Sequence, residues 1–268
     1  MVLKRVAIVC VLAALASPLF SNSSLAQSCP APLAAATRLV LVTADTMNVT
    51  AATLQTFERG STAESWRAVT EPEPAVIGRG GMGWSYFYRA LARKGEPMKI
   101  EGDKLAPAGV YAIGRTFGMV PSQRAGHIHV KPDTVCVDDP ASRAYNTITT
   151  RASIAPNTRI ENMGRILPMY RRGIVVDYPT NARAQAGSCI FIHIWKSPVT
   201  GTAGCVALPE ARVEALQDFT EEDAAIAIMP RFALDRLRGC LPTPGASKPG
   251  AKAGTKPAAK LGPSKPGI

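Results

Sequence analysis

One stretch, residues 187–208, constrains this chain more than any other, and it reads GSCIFIHIWKSPVTGTAGCVAL. The apolar run at residues 190–195 predicts a buried strand, and His193 is the only ionisable side chain in that run. Cys205 follows twelve positions later, after a loop rich in small and turn-forming residues. Such a loop can return the thiol to the imidazole, so the stretch predicts a cysteine–histidine pair.

The chemistry of this pair explains why both residue types are needed. Cysteine attacks as the thiolate, and a free thiol with a pKa of about 8.5 is mostly protonated at neutral pH. A neighbouring imidazole must therefore take the proton. We predict Cys205 as the nucleophile and His193 as its general base and acid. The backbone N–H groups of Gly204 and Cys205 are predicted to form an oxyanion hole.

The segments GSCIFIHIW and GTAGCVALPE resemble the active-site segment of the YkuD-type L,D-transpeptidases, in a branch that reads roughly G-S-x-I-F-x-H-I and T-x-G-C-x-A. Further similar stretches begin at residues 75, 101, 136 and 173, in the family's order, so the similarity covers about residues 38–237. The resemblance implies a mainly β fold, a sandwich or barrel-like catalytic domain with a few short helices. It also implies L,D-transpeptidation of peptidoglycan stem peptides, with no metal or organic cofactor.

Three positions differ from the commoner family pattern. Thr202-Ala203-Gly204-Cys205 stands where S-H-G-C is usual, Ala207 where Arg or Asn is frequent, and Ala106-Pro107-Ala108-Gly109 where T-P-x-G is usual. The nucleophile and the base are retained, whereas the groups that hold the substrate carboxylate are changed.

Four residues are candidate substrate contacts: Thr202, Tyr170, Arg171 and Trp195. Tyr170, Arg171 and Arg172 precede a predicted strand, where an aromatic ring and two cations could bind a peptide carboxylate. A solvated strand end is the alternative interpretation. By the family resemblance, three more residues flank the cleft and are candidates for ordering it: Asp138, Asp139 and Asn146.

Three alternative interpretations of Cys205 and His193 remain open at this point. A hydrolase with the same Cys205 and His193 would let water resolve the thioester. A non-catalytic wall-binding module would explain the missing second His and Arg near Cys205. The third alternative is a core histidine beside an ordinary buried cysteine, which either residue alone would favour.

The first 26 residues have the layout of a secretory signal peptide: Lys4 and Arg5, a short apolar core, and a small-x-small site that predicts cleavage after Ala26. An uncleaved N-terminal anchor is the alternative. We therefore expect residues 27–240 to be a catalytic domain in the periplasm or cell envelope. Residues 241–268 read as a disordered tail of Lys, Pro, Gly and Ala that could contact an anionic wall or membrane.

The net charge of +11 does not predict a nucleic-acid-binding protein. Two of those charges belong to the signal segment and five to lysines of the tail, which leaves +4 on residues 27–240. That modest excess favours contact with an acidic cell wall, so the expected partner is peptidoglycan.

Six cysteines allow a prediction about disulfides. With Cys10 in the signal segment and Cys205 as the nucleophile, four thiols remain in an oxidising compartment, and three pairings are open. We predict a bridge between Cys29 and Cys240, which bracket the domain and would tie down both ends. Cys136 with Cys189 is the corollary, with two free buried thiols as the alternative.

Two other motifs suggest ligand sites but are interpreted otherwise. The glycines at residues 78–83 fit no phosphate-binding pattern and predict a turn. His127 and His129 could share one face of a strand, as in a zinc site, but the spacing to Cys136 fits no closed zinc pattern, and two half-exposed polar residues are expected. Asp103 is expected to cap a turn. Residues 209–219 predict a short helix that braces the nucleophile loop.

Overall fold

The computed structural model describes residues 29–221 and 223–245 of the 268-residue chain. The predicted signal segment with Cys10, and the tail beyond residue 245, lie outside the described residues. Within the described ranges, no helix has both the length and the apolar character that a membrane crossing requires.

The described residues are mainly β, with a few short helices, as the sequence predicted. The strands are β1 (Arg38–Ala44), β2 (Ala51–Glu58), β3 (Arg67–Ala68), β4 (Glu73–Val76), β5 (Met82–Trp84), β6 (Ala106–Gly118), β7 (Ile128–His129), β8 (Thr134–Val137), β9 (Ile148–Thr150), β10 (Ile160–Glu161), β11 (Arg172–Asp177), β12 (Phe191–Ile194), β13 (Val206–Leu208) and β14 (Ala224–Pro230). The helices are α1 (Ala31–Ala35), α2 (Glu210–Phe219) and 3₁₀ helices at Tyr86–Leu91, Arg151–Ser153, Met163–Arg165 and Arg231–Leu237.

Eight of these strands close into a barrel. The order is β1, β14, β6, β11, β12, β13, β4 and β2, and β2 pairs again with β1. The pairings β1–β14 and β12–β13 are parallel, and the other six pairings of the ring are antiparallel. Closure pairs the backbone of every barrel strand on both sides, so no long edge is left to recruit another strand. Of the two forms that the sequence left open, sandwich or barrel, the structure is the barrel.

The β12 strand separates two hydrophobic clusters, because successive side chains of a strand point to opposite faces. Ile192 and Ile194 join the main core, together with Val206 and Leu208 of β13. The opposite face of β12 carries Phe191, which belongs to a second cluster. The other buried members of the second cluster are Phe117, Val130, Cys136, Met163, Tyr170, Cys189 and Cys205.

A three-stranded sheet, β10–β8–β9, packs beside the barrel. Its link to the barrel is covalent, because Cys136 on β8 forms a disulfide with Cys189, two residues before β12. Asn146 adds a second link: its side-chain oxygen accepts from the Cys189 N–H at 2.8 Å. The small sheet is therefore held against the strand that carries His193.

Helix α2 forms where the sequence predicted it, with Val213 and Leu216 on its buried face. Gln217 is also buried, which the apolar pattern did not indicate. Its amide nitrogen donates to the Phe117 oxygen at 3.2 Å and to the Gly173 oxygen at 2.9 Å. These bonds fix α2 against β6 and β11, behind the strands of the site.

Both predicted disulfides are present, and the Cys29–Cys240 bridge joins positions 211 residues apart. Replacing Cys29 and Cys240 together by Ser should lower the free energy of unfolding by about 2–5 kcal/mol, since a crosslink across so long a loop restricts the unfolded chain. Urea unfolding measures this loss. The Cys205→Ala variant keeps both bridges and should lose much less; an equal loss in the two proteins would contradict the prediction.

Candidate active site

The pairing of β12 with β13 places the predicted base and nucleophile on one face of the barrel wall. His193 lies opposite Ala207 in this parallel pair. Cys205 is two residues before Ala207, so its side chain points to the same face as that of His193. The thiol and the imidazole both line one cavity of about 960 Å³. The structure therefore brings the two residues of the predicted pair to a single site.

A backbone carbonyl fixes the tautomer of His193. Its Nδ1 lies 2.8 Å from the Ile194 oxygen. A carbonyl oxygen can only accept, so Nδ1 carries the proton and Nε2 keeps its lone pair. The edge of the ring also packs against Tyr170, with ring centroids 5.2 Å apart. The imidazole is thus oriented with Nε2 as the nitrogen able to take a proton.

The Cys205 sulfur is held by backbone groups of the preceding strand segment. It accepts from the Phe191 N–H at 3.3 Å, and its own S–H donates to the Cys189 oxygen at 3.4 Å. Cys205 is the free cysteine of the described residues, and only 5% of its surface is exposed. The thiol is therefore a buried part of the cavity lining, held by backbone groups.

Burial keeps both members of the pair uncharged at neutral pH. It lowers the pKa of His193 to about 4, against the smaller effect of the hydrogen bond to Ile194. Burial also raises the pKa of the Cys205 thiol well above its usual range, and the negative charge of Glu161 adds to that rise. The Phe191 N–H, Lys99 and the Tyr170 hydroxyl lower the pKa of the thiol, by less. The resting cavity thus holds a neutral thiol and a neutral imidazole.

The loop before Cys205 uses part of the predicted oxyanion hole for its own structure. The Gly204 N–H donates to the Thr202 hydroxyl oxygen at 3.0 Å, and the Thr202 hydroxyl donates to the Cys205 carbonyl at 2.7 Å. The prediction that the Gly204 N–H is available is therefore wrong for this conformation. Thr202 lines the cavity, but its hydroxyl braces the nucleophile loop and is not free for a substrate.

The glycine-rich turn after β4 supports the nucleophile loop, a role that the sequence did not indicate. Gly78 and Gly81 close the predicted turn, and Gly78 also forms a bridge with Thr202. The Arg79 N–H donates to the Thr202 oxygen at 2.9 Å, and the Thr202 N–H donates to the Ile77 oxygen at the same distance. This contact brings the Arg79 side chain to the cavity.

The other three candidate substrate contacts have different outcomes. Trp195 lines the cavity, so it stays a candidate. Tyr170 also lines it, but only 2% of its surface is exposed and its hydroxyl donates to Glu161. Arg171 is wrong as a cavity residue, because it pairs with Glu210 at the start of α2. Arg172 likewise pairs with α2, 2.8 Å from Glu214.

Charged side chains from distant parts of the chain line the cavity instead. The four cations are Arg79, Lys99, Lys104 and Lys196, and the three carboxylates are Glu101, Asp138 and Glu161. Lys99 is paired with Asp103 at 2.6 Å, whereas the other three cations make no ion pair with any described residue. Asp103 also accepts from the N–H groups of Ile100 and Leu105, as a turn cap does, which confirms its predicted role. Three cations are thus placed to hold an anionic group.

The residues proposed from the family resemblance to order the cleft take separate roles. Asp138 lines the cavity and pairs with Arg159 at 3.3 Å. Asp139 caps the next turn through the Ala141 N–H at 3.0 Å. Asn146 contacts the backbone of Cys189, as described for the small sheet. Asn146 therefore orders the segment before β12, whereas Asp139 orders its own turn and also accepts from the Arg159 N–H at 3.3 Å.

The two histidines outside the site are engaged in local contacts. His127 Nδ1 lies 2.8 Å from the Thr116 hydroxyl, and His129 Nε2 donates to the Met119 oxygen at 3.2 Å. Cys136, the nearest further ligand suggested by the sequence, is in a disulfide. Across the described ranges, no group of three or more His, Cys, Asp or Glu residues is placed to hold a metal ion.

Fold and site together define a class: a closed β-barrel in which a histidine on β12 and a cysteine directly before β13 line one charged cavity. No protein-family model and no curated protein matches the chain. A solved structure entitled "Structure of Bdellovibrio bacteriovorus Bd1075" is similar, with a TM-score of 0.38 and 16% sequence identity. The match covers 73% of this chain and 49% of the other, so this chain spans about half the length of that protein.

The position of Gly204 yields a stability prediction. Its φ is +150°, and an added Cβ would lie 2.9 Å from the Leu105 oxygen. Gly204→Ala should therefore lower the free energy of unfolding by more than the roughly 1–2 kcal/mol of an unfavourable φ alone. The matched control is Gly95→Ala, with φ +89° but no heavy atom within 4 Å of the added Cβ. Equal losses in chemical denaturation of the two variants would show that the Leu105 contact is unimportant.

Proposed function

We propose that this chain is an exported cysteine acyltransferase that performs L,D-transpeptidation on peptidoglycan stem peptides. The observation that carries the proposal is the shared cavity of Cys205 and His193, with Nε2 of the imidazole left as the proton acceptor. The resemblance of the segments around both residues to YkuD-type enzymes supplies the substrate class. The two disulfides agree with export to an oxidising compartment.

The size and charge of the cavity support a short peptide as substrate. Its volume of about 960 Å³ is at the upper end of the range typical of small-ligand sites. Arg79, Lys104 and Lys196 offer cations to a terminal carboxylate, while Glu101 and Asp138 offer carboxylates to an amine. A stem peptide that carries both a carboxylate and an amine fits a cavity lined by both cations and carboxylates.

The proposed reaction passes through a thioester. Cys205 Sγ attacks the carbonyl carbon between the third residue and the terminal D-residue, and His193 Nε2 takes the thiol proton. Cleavage of the C–N bond transfers that proton to the leaving nitrogen and releases the D-amino acid. An acceptor amine then attacks the thioester, gives its proton to Nε2, and restores the thiol.

Incubation with a tetrapeptide-stem muropeptide, followed by mass spectrometry, tests the proposal. The native protein should yield a crosslinked dimer, whereas Cys205→Ala should yield none. His193→Gln keeps an N–H donor near Ile194 but removes the base, so it should be slower by about 10²–10⁴-fold. A trimmed tripeptide without dimer would indicate a hydrolase. No product with the native protein would exclude both enzymes and favour a wall-binding module.

The low pKa of His193 predicts the acid limit of the reaction. The base is neutral above about pH 4, so kcat/KM should fall about tenfold per pH unit only below that value. An ordinary exposed histidine would give this limb near pH 6.5. Measuring kcat/KM for the muropeptide from pH 3.5 to pH 7, with circular dichroism as a check on folding, separates the two cases.

A further inference from the structure

Tyr170 occupies the position between the base, the nucleophile and a buried carboxylate. Its ring packs edge-on against His193 and against Phe191, with centroids 5.2 and 5.8 Å apart. Its hydroxyl donates to Glu161, at the end of β10. Tyr170 and Cys205 belong to the same buried cluster and line the same cavity, and the nearby hydroxyl lowers the pKa of the thiol. The O–H group is hydrogen-bonded to the carboxylate, and the sulfur is a second acceptor in the same cluster.

The protonation of Glu161 decides where that O–H points. An ionised carboxylate can only accept, so it holds the Tyr170 hydroxyl proton in the hydrogen bond between them. A protonated carboxyl can donate its own O–H to the Tyr170 oxygen, which leaves the tyrosine proton for the sulfur. Tyr170 has a single proton to donate, so the two arrangements exclude each other.

We propose that Tyr170 is a further catalytic residue whose hydroxyl donates to the Cys205 sulfur, and that Glu161 is a positioning residue that withholds or releases that hydroxyl. The chemistry that this donor assists, attack by Cys205, rests on the proposed function. The role fits a gap in the site, because the Gly204 N–H is engaged by Thr202. A hydrogen bond from Tyr170 stabilises the thiolate as it forms.

The surroundings of Glu161 raise the pKa of its carboxyl into the neutral range. Burial raises its pKa to about 7, and the negative charges of Asp138 and Glu101 add to that rise, while the Tyr170 hydrogen bond opposes it. Asp138 is paired with Arg159, and the positive charge of Lys99 lowers the pKa of the Cys205 thiol, against the effect of Glu161. Below about pH 7, Glu161 is neutral, so Tyr170 is released and the charge beside the sulfur is removed. Above that pH both effects reverse, and the thiolate is less stable.

Alkylation of Cys205 by iodoacetamide, followed by peptide mass mapping, tests this without any peptidoglycan substrate. Glu161→Gln keeps the shape of the side chain, removes its charge, and supplies an amide N–H that can donate to the Tyr170 oxygen as the protonated carboxyl does. At pH 8 this variant should react about tenfold faster than the native protein, the effect of one pKa unit on the thiolate population. At pH 5.5, where Glu161 is already neutral, the two proteins should agree within about twofold.

A double-mutant cycle with Tyr170→Phe separates the hydroxyl from the charge. The phenylalanine keeps the ring contacts, so the acceleration by Glu161→Gln should shrink at least about threefold when the hydroxyl is absent. An equal acceleration in both backgrounds would leave only a charge effect and overturn the proposal, as would no acceleration at pH 8. Circular dichroism of each variant checks that the fold is retained.

Asp138→Asn is the matched control for the identity of the titrating group. It removes a neighbouring charge but no contact of Tyr170. The alkylation rate should therefore still fall below that of Glu161→Gln as the pH rises, but this difference should begin at a lower pH than in the native protein. If the difference between the two rates disappeared, the assignment to Glu161 would be overturned. If the muropeptide assay gives no product while the cycle behaves as expected, the proposed function fails and the control of the thiol by Tyr170 stands.

Discussion

The site depends on the register of one pair of parallel strands. His193 stands opposite Ala207, and Cys205 is two residues before it, so the imidazole and the thiol share a face. The alternate positions, Ile192 and Val206, belong to the main core. A slip of one residue in β13 would turn the thiol into that core and bring an aliphatic side chain to the cavity. Closure of the barrel fixes the register, because β12 and β13 are each paired on both sides.

Features of the chain on both sides of this pair of strands hold the site in place. The disulfide of Cys136 with Cys189 attaches the small sheet, and that sheet brings Glu161 to the cavity. From the other side, the turn at Gly78 bonds to Thr202 in the nucleophile loop. Backbone groups thus form hydrogen bonds with both the sulfur and the ring.

Local patterns sufficed to predict a large part of the structure. Apolar periodicity indicated β12 and α2. The Cys29–Cys240 pair was predicted from the positions of both residues at the ends of the domain, whereas Cys136–Cys189 was its corollary, with two free thiols as the open alternative. The lining of the cavity could not be predicted in the same way. Arg79, Lys104 and Glu161 reach it only because barrel closure and the disulfide bring together segments that are far apart in sequence. Arg171 was wrong because the sequence placed it beside a strand, while the side chain turned to Glu210 on α2. The Gly204 N–H was wrongly predicted to be available, because the sequence does not show that the Thr202 hydroxyl accepts from it.

A neutral thiol is also the state that suits the immediate surroundings of Cys205. Its S–H donates to the carbonyl oxygen of Cys189, and the side chain of Cys189 forms the disulfide that holds the small sheet. A thiolate in that position would be the attacking species of thiol–disulfide exchange, and exchange would release the small sheet that forms one wall. Burial and the Glu161 charge both oppose ionisation at rest. In the proposed reaction the thiolate forms only when His193 Nε2 takes the proton, and the burial that opposes ionisation at rest also disfavours attack of Cys205 on the bridge.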